Sequence, residues 1–534
     1  DGPGRLDLQL NIPLGEVNPN KSPTRFTGKY AMSRGHAKLA LGDRERGTDI
    51  NAINGSITFT EAATRAANIT GVAFGNPVTV NINSTETGLN TDFTARASLA
   101  ALADIIPFAM PQQVNGTTDF TGRVATRKGG VDVNVDSTLE GVASALPYPL
   151  GKAASEARKL RLQFRDTGQR TERIVVNLAG NAGAGGGDAA DSRVDARFLR
   201  RFDAAGNAAG FYGGIASVGE PLGDAAPPEG LWLAGTLPQF DFDGWRLAYE
   251  NFYPPAPAGS AAVQQESPLA GFDFKLGSLN AYGRPFKAMT IKGRHANEDW
   301  RMTVDSTEAS GDFSWRPGAF SDRGSVRARL ARFSLADELP TAGPVAPPNP
   351  NERIADFPAL DIIADRFTFK ERELGKLELQ ATPLGANWRI DLLRISNGHV
   401  KLDMDGLWQR YGDPQNPDGR SRTAMNLKLE TNNLNALFDQ FGYGDYMKGG
   451  KAQLEGQLSW PGHTHQFQTG TLSGHLKMSA TDGRFAKIEP GAGKLLGLIS
   501  LQSLPSRLTL DFRDIFSEGL AFFRINGDVN IKSG

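Results

Sequence analysis

From Leu6 to Ile531 the chain returns again and again to one pattern, an apolar side chain at every second position with a polar or charged one between. Leu6, Leu8, Leu10 and Ile12 alternate with Asp7, Gln9 and Asn11. Val131, Val133 and Val135 alternate with Asp132, Asn134 and Asp136, and Leu160, Leu162 and Phe164 with Arg161 and Gln163. Successive side chains of a strand point to opposite faces, so this pattern predicts strands with one dry and one wet face. Full charges on the wet face exclude a parallel α/β sheet, whose strands are apolar on both sides. The fold class that follows is all-β, mainly antiparallel, with a few short helices.

Helical spacing is scarce. Leu434, Leu437, Phe438 and Phe441 recur at i, i+3, i+4 and i+7 behind a candidate N-cap, Asn433, which predicts a helix over Asn433–Phe441. Ser98–Ile106 and the apolar Pro490–Leu504 are two further candidates. The stretches Ala179–Asp191, Gly219–Gly230, Pro254–Pro268, Pro340–Arg353 and Tyr411–Arg422 are Gly-, Pro- or polar-rich and read as loops between strands.

Composition closes off several functions. The net charge is −1, which argues against nucleic acid as a partner, and there is no Cys to supply a disulfide, a thiolate or a Cys-based metal site. No apolar run reaches the length of a membrane helix. The first residue is Asp1 rather than Met, and the strand pattern is still running near Gly534, so the chain is expected to be cut from a longer one.

Chemistry-bearing motifs fail on inspection. His463 and His465 flank one residue after a Trp-Pro-Gly turn and have no accompanying ligand pattern. Pro490–Leu495 imitates a phosphate loop but has Ile488 and Leu495 where the first Gly and the hydroxyl belong. Asp241 and Asp243 alternate with Phe240 and Phe242 and read as a solvated strand face rather than a glycosidase pair. No catalytic residue, metal site or cofactor is assigned, and the expectation is a protein that is not an enzyme.

A dry strand face can pack against a second sheet or stay open and shield something greasy, and periodicity does not choose between the two. Here a resemblance adds information. Leu139–Ala154, Gly230–Pro238, Leu454–Gly462 and above all Gly483–Pro505 with Arg507–Asp514 are similar to the YhdP group of the AsmA-like family of Gram-negative envelope proteins. The resemblance runs in order along essentially the whole chain. It implies an elongated, repeating β-groove, curled like a taco, with a hydrophobic interior. It implies residues 1–430 as continuous periplasmic groove and 431–534 as the AsmA-like C-terminal region with short helices. The family's N-terminal membrane helix and extreme C-terminus are expected to lie outside this chain.

The function the resemblance implies is phospholipid transport between inner and outer membranes, in the periplasm, supporting the outer-membrane barrier. The implied partners are phospholipid, both membranes and envelope proteins. The alternating positions then become the expected groove lining. These are Val78, Val80, Ile82, Val131, Val133, Val135, Leu160, Leu162 and Phe164 in the first part of the chain. Further on they are Leu377, Leu379, Trp388, Ile390, Leu392, Val400, Leu402, Met404, Leu427, Leu429, Leu508, Leu510 and Phe512. The competing readings are closed sandwiches without a ligand and an outer-membrane assembly factor acting through strand pairing.

Overall fold

The computed structural model describes residues 2–12, 25–40, 47–85, 88–102, 111–127, 130–180, 192–206, 208–224, 226–252, 269–281, 284–318, 323–335, 357–410, 421–441, 446–462, 469–485 and 520–533. They carry 27 strands and three short α-helices, and the chain divides into two compact units, Asp1–Lys292 and Gly293–Gly534. The expected all-β class is what the chain adopts.

Unit 1 begins with β1 (Gly4–Asn11), β2 (Arg25–Ala40), β3 (Gly47–Thr60), β4 (Thr64–Ala73), β5 (Asn76–Thr85) and β6 (Gly88–Ser98). After the short α1 (Leu99–Leu102) come β7 (Val114–Arg127), β8 (Gly130–Ser137), β9 (Val142–Ser144), β10 (Leu160–Gly168) and β11 (Thr171–Leu178). Then follow β12 (Val194–Phe202), β13 (Ala208–Val218), β14 (Gly230–Asp241), α2 (Phe242–Phe252), β15 (Leu269–Ala281) and β16 (Arg284–Ala296), which crosses the division. Unit 2 holds β17 (Asp299–Asp305), β18 (Ala309–Pro317), β19 (Gly324–Leu335), β20 (Ala359–Phe369), β21 (Arg372–Leu384) and β22 (Asn387–Ser396). It continues with β23 (Val400–Arg410), β24 (Ser421–Thr431), α3 (Leu434–Gln440), β25 (Met447–Pro461), β26 (Ser473–Phe485) and β27 (Leu520–Ile531).

Among the described residues, neighbours in sequence pair in the sheet from β1 to β15 and from β17 to β27, with a short detour where β9 pairs with the start of β7 and β8 passes directly to β10. Most pairs are antiparallel, and about half of these are joined by tight turns. At Phe74-Gly75, Gln169-Arg170 and Lys370-Glu371 both central residues have positive φ, the geometry whose twist matches that of the strands it joins.

Among the described residues three pairs are parallel, β13 with β14, β14 with β15 and β19 with β20. A parallel pair needs a crossover rather than a hairpin. The crossovers are the segments that contain the Pro-rich stretches Gly219–Gly230, Pro254–Pro268 and Pro340–Arg353. The Pro-rich stretches therefore mark where the chain reverses its zigzag.

The helices differ from expectation in instructive ways. Helix α3 occupies the predicted place, and the Asn433 side chain caps it by accepting from the Ala436 amide at 3.2 Å. Leu434 is buried with Met447 and Ala480, against Ala452, Phe522 and Ile525. At its other end Arg372 donates to the Gln440 carbonyl at 2.7 Å, and the Gln440 amide donates to the Glu373 carbonyl at 2.5 Å. Helix α3 thus bridges β21 and β25 across the sheet. Within Ser98–Ile106, the described part of the helix is α1. Pro490–Leu504, His463 and His465 lie outside the described residues.

Helix α2 was not expected. Asp241 and Asp243 do not share a strand face, because β14 ends at Asp241 and Asp243 is already helical. Asp241 caps the helix by accepting from the Gly244 amide at 3.1 Å.

The segment between β8 and β10 folds back on the strand ends and is pinned by two buried cations. Arg158 donates to the carbonyls of Ala179 at 2.7 Å, Pro149 at 2.8 Å and Ser192 at 2.5 Å. Lys152 donates to those of Val142 at 2.7 Å and Ala153 at 2.9 Å. Burial pulls both below their ordinary pKa values. The Trp245 indole of α2 donates to the Tyr148 carbonyl at 3.0 Å and ties the helix to this segment.

Arg158→Met would leave three carbonyls without their donor, at about 1–3 kcal/mol for each that stays dry. We expect hydrogen exchange over residues 138–159 to rise by orders of magnitude while β20–β24 keep their protection. Unchanged exchange in that segment would contradict the pinning role.

Candidate functional site

Cross-strand register turns the alternation of single strands into rows that run across each unit. In unit 1 one row reads Ile82, Thr91, Val124, Val133, Phe164, Ile174, Phe198, Gly214 and Leu231. The next reads Val80, Phe93, Gly122, Val135, Leu162, Val176, Ala196, Ala216, Leu233 and Phe272. A third contains Val78, Ala95, Phe120, Ser137, Leu160 and Leu178. Val131 stands at the margin beside Thr126.

Unit 2 repeats the arrangement. One row reads Met302, Phe313, Ala328, Ile362, Leu379, Leu393, Met404, Leu427, Gly456, Leu476 and Val529. Its neighbour reads Val304, Gly311, Leu330, Ala364, Leu377, Ile395, Leu402, Leu429, Leu454 and Met478. Val400 lies one step beyond, opposite Thr431.

Nearly all the expected lining residues that are described therefore fall into a few contiguous rows. Leu392 is the exception. A bulge at Asp391-Leu392 sets Leu392 opposite Gln380, on the side of the wet face, and Leu393 takes the place in the row. The adjacent pair Leu392-Leu393, breaking the alternation, was the available signal. Leu508, Leu510 and Phe512 lie outside the described residues.

Most of these side chains are half-buried rather than sealed, Val133, Val135, Leu162, Phe164, Leu379, Met404 and Leu427 among them. The inner face of a closed sandwich would be buried throughout. Sealed patches do occur. Trp388, Ile390, Trp408, Met425 and Trp460 form a buried cluster with Ala381 at one margin of unit 2, and α3 covers the other margin.

The apolar face is also levelled. A β-carbon at Gly28, Gly122 or Gly483 would collide with the ring of Phe59, Phe93 or Phe522 on the next strand. The glycines give each large ring a place to lie flat, so the face has neither a spike nor a hole there.

The opposite face is laced with ion pairs. Examples are Arg123 with Asp92 at 2.6 Å, Arg161 with Asp136 at 2.7 Å and Lys292 with Asp273 at 2.9 Å. In unit 2, Arg394 grips Asp403 with two bonds, of 2.6 and 3.2 Å, and Lys401 adds a third at 3.0 Å. A trough of about 880 Å³ on β22–β26 is lined by Arg389, Asp391, Asp405, Asn426, Gln457 and His475 together with the apolar Leu384, Leu407, Ala424 and Leu458.

Hydrogen bonds from Arg394 hold the Asp403 carboxyl below its ordinary value, those from Arg329 do the same for Asp361, and Lys376 for Glu378. A lowered folded-state value stabilises the fold above the ordinary values, 3.8 for Asp and 4.5 for Glu. That contribution is lost as pH falls through this range towards the lower folded-state values. We expect the melting temperature of the chain to be insensitive to these groups from about pH 7 to 5 and to fall below about pH 4. Asp403→Asn should lower the melting temperature at neutral pH and shrink the acid-induced drop. An undiminished drop in that variant would refute the assignment.

The comparisons with known proteins agree with the sequence resemblance. The family model described as YhdP protein matches residues 1–534. The chain is 22% identical, over 548 residues, to the intermembrane phospholipid transporter YhdP of Escherichia coli (strain K12). That alignment covers 100% of this chain and 40% of the relative, so the chain spans about two fifths of the relative's length. No solved structure matches.

Proposed function

The chain belongs to the YhdP family, and on that premise we propose that it is a stretch of periplasmic β-groove along which phospholipid passes between the inner and outer membranes. The transport supports the outer-membrane permeability barrier of a Gram-negative cell. The partners are phospholipid and the two membranes, joined by envelope proteins.

The observation that carries this reading is the set of contiguous, mostly apolar and half-buried rows in each unit. A buried methylene is worth about 0.8 kcal/mol, so a lipid with two chains of roughly 15 methylenes loses about 24 kcal/mol on entering water. A continuous dry strip removes most of that cost while the headgroup stays wet. A levelled strip also matters, because a deep local well would trap the cargo. Sliding makes and breaks no covalent bond, so the proposal assigns no catalytic residue.

The test is photocrosslinking in cells. Crosslinkers at Val133 and Leu393, which stand in the rows, are expected to capture phospholipid, and one at Leu392, on the far side of the bulge, is not. Val133→Asp should slow transport while leaving the circular dichroism spectrum unchanged. Capture of protein alone at Val133 and Leu393 would sink the lipid reading.

A further inference from the structure

The ion pairs described above stand on the wet face, but Glu172 and Arg200 form one that does not. In the β11–β12 ladder Glu172 pairs with Arg200, two residues along each strand from the Ile174–Phe198 pair. Residues two apart share a face, so this ion pair is part of the apolar face. The two side chains are only 13% and 5% exposed. Among residues of the same rows, Ile174 is fully buried.

The pair is built unusually for its surroundings. Arg200 Nε and Nη2 both donate to one oxygen, Glu172 Oε2, at 3.1 and 2.6 Å. Nη1 and the second carboxylate oxygen take no part, so the fork of the guanidinium is left half used. The Phe202 ring supports the guanidinium from one side at 4.8 Å. Burial, with a smaller push from the charge of Asp166, which faces Glu172 from β10, outweighs the pull of Arg200 and leaves the Glu172 carboxyl above its ordinary pKa. Replacing a buried ion pair with apolar residues is often neutral or stabilising, so stability alone does not account for a charged pair here.

Its position suggests what does. The pair lies near the strand ends, close to the Gln169-Arg170 turn. Two residues of strand span about 6.7 Å. A lipid whose chains rest on the Ile174 row and beyond would therefore carry its glycerol phosphate at the level of Arg200.

We propose that Arg200 is the phosphate contact of the groove in unit 1: the headgroup phosphate exchanges with Glu172 for the guanidinium and takes the unused Nη1 as well. The exchange makes this stretch of strip selective for lipids that carry a phosphate over neutral lipids with the same chains. Arg200 is the specificity-determining residue and Glu172 its resident stand-in for phosphate. This rests on the lipid-conducting reading above.

The test uses the purified full chain and phosphatidylcholine vesicles containing a trace of fluorescent phosphatidylglycerol or of fluorescent diacylglycerol with the same chains. Bound fluorescent lipid per chain is measured after the vesicles are removed. The wild-type chain is expected to prefer the phospholipid by roughly tenfold, the size of one charge-assisted hydrogen-bonded contact. Arg200→Gln should bring that ratio close to one, and Glu172→Gln should raise phospholipid capture. The double variant Glu172→Leu with Arg200→Leu leaves no unpaired charge, keeps the fold and should take up both lipids equally.

If both Arg200 variants keep the wild-type ratio, the headgroup assignment is overturned and the lipid-conducting reading stands. If the wild-type chain takes up neither lipid, that reading fails and this inference falls with it. If the wild-type chain takes up both lipids equally while binding inorganic phosphate in a way that Arg200→Gln abolishes, Arg200 is a site for free phosphate and not for a lipid headgroup.

Discussion

A strand keeps one face dry only if every neighbour pairs with it in a register that never slips by a single residue, because a one-residue slip exchanges the two faces. Each unit of this chain keeps that parity from strand to strand. The consequence is collective: the alternation Val131, Val133, Val135 matters less than its meeting with Phe164, Leu162 and Val124 in one continuous surface. On the other face the same parity gathers the charges into ladders, where Arg–Asp pairs add register as well as solubility. Both faces are consequences of one rule, and the transport reading depends on that rule holding across many strands.

Where parity would fail, the structure corrects it. The bulge at Asp391-Leu392 absorbs an extra residue and returns Leu393 and Ile395 to the dry side. A second bulge between β18 and β19 does the same for Gly311 and Leu330. Bulges increase local twist as well as shifting phase. The parallel pairs β13–β14, β14–β15 and β19–β20 preserve the rows too, although they need long crossovers.

Much of this was legible in the sequence because a two-residue period is a local property. The all-β class, the apolar rows on β5, β8, β10, β23 and β24, and helix α3 with its Asn433 cap could all be read from short windows. Register could not, since it is set between strands, and so the phase of Leu392 against Leu393 was hidden. Helix α2 was hidden as well. Its Phe240-Asp241-Phe242-Asp243 start looks like a strand, and Asp241 becomes a cap only once the chain turns there. The Pro-rich loops were visible, but their role as crossovers follows only from strand direction. The Glu172–Arg200 pair was missed because Glu172 and Arg200 lie in phase with apolar residues, where a reading by alternation expects none.

Mass spectrometry of lipid extracted from the purified chain tests most directly whether the rows of half-buried apolar side chains hold acyl chains. Diacyl phospholipid is expected to co-purify in more than one copy per chain, and detergent washing is expected to strip it without unfolding the sheet. A chain that purifies folded and free of lipid from a membrane-containing lysate, and stays free after incubation with vesicles, would contradict that expectation.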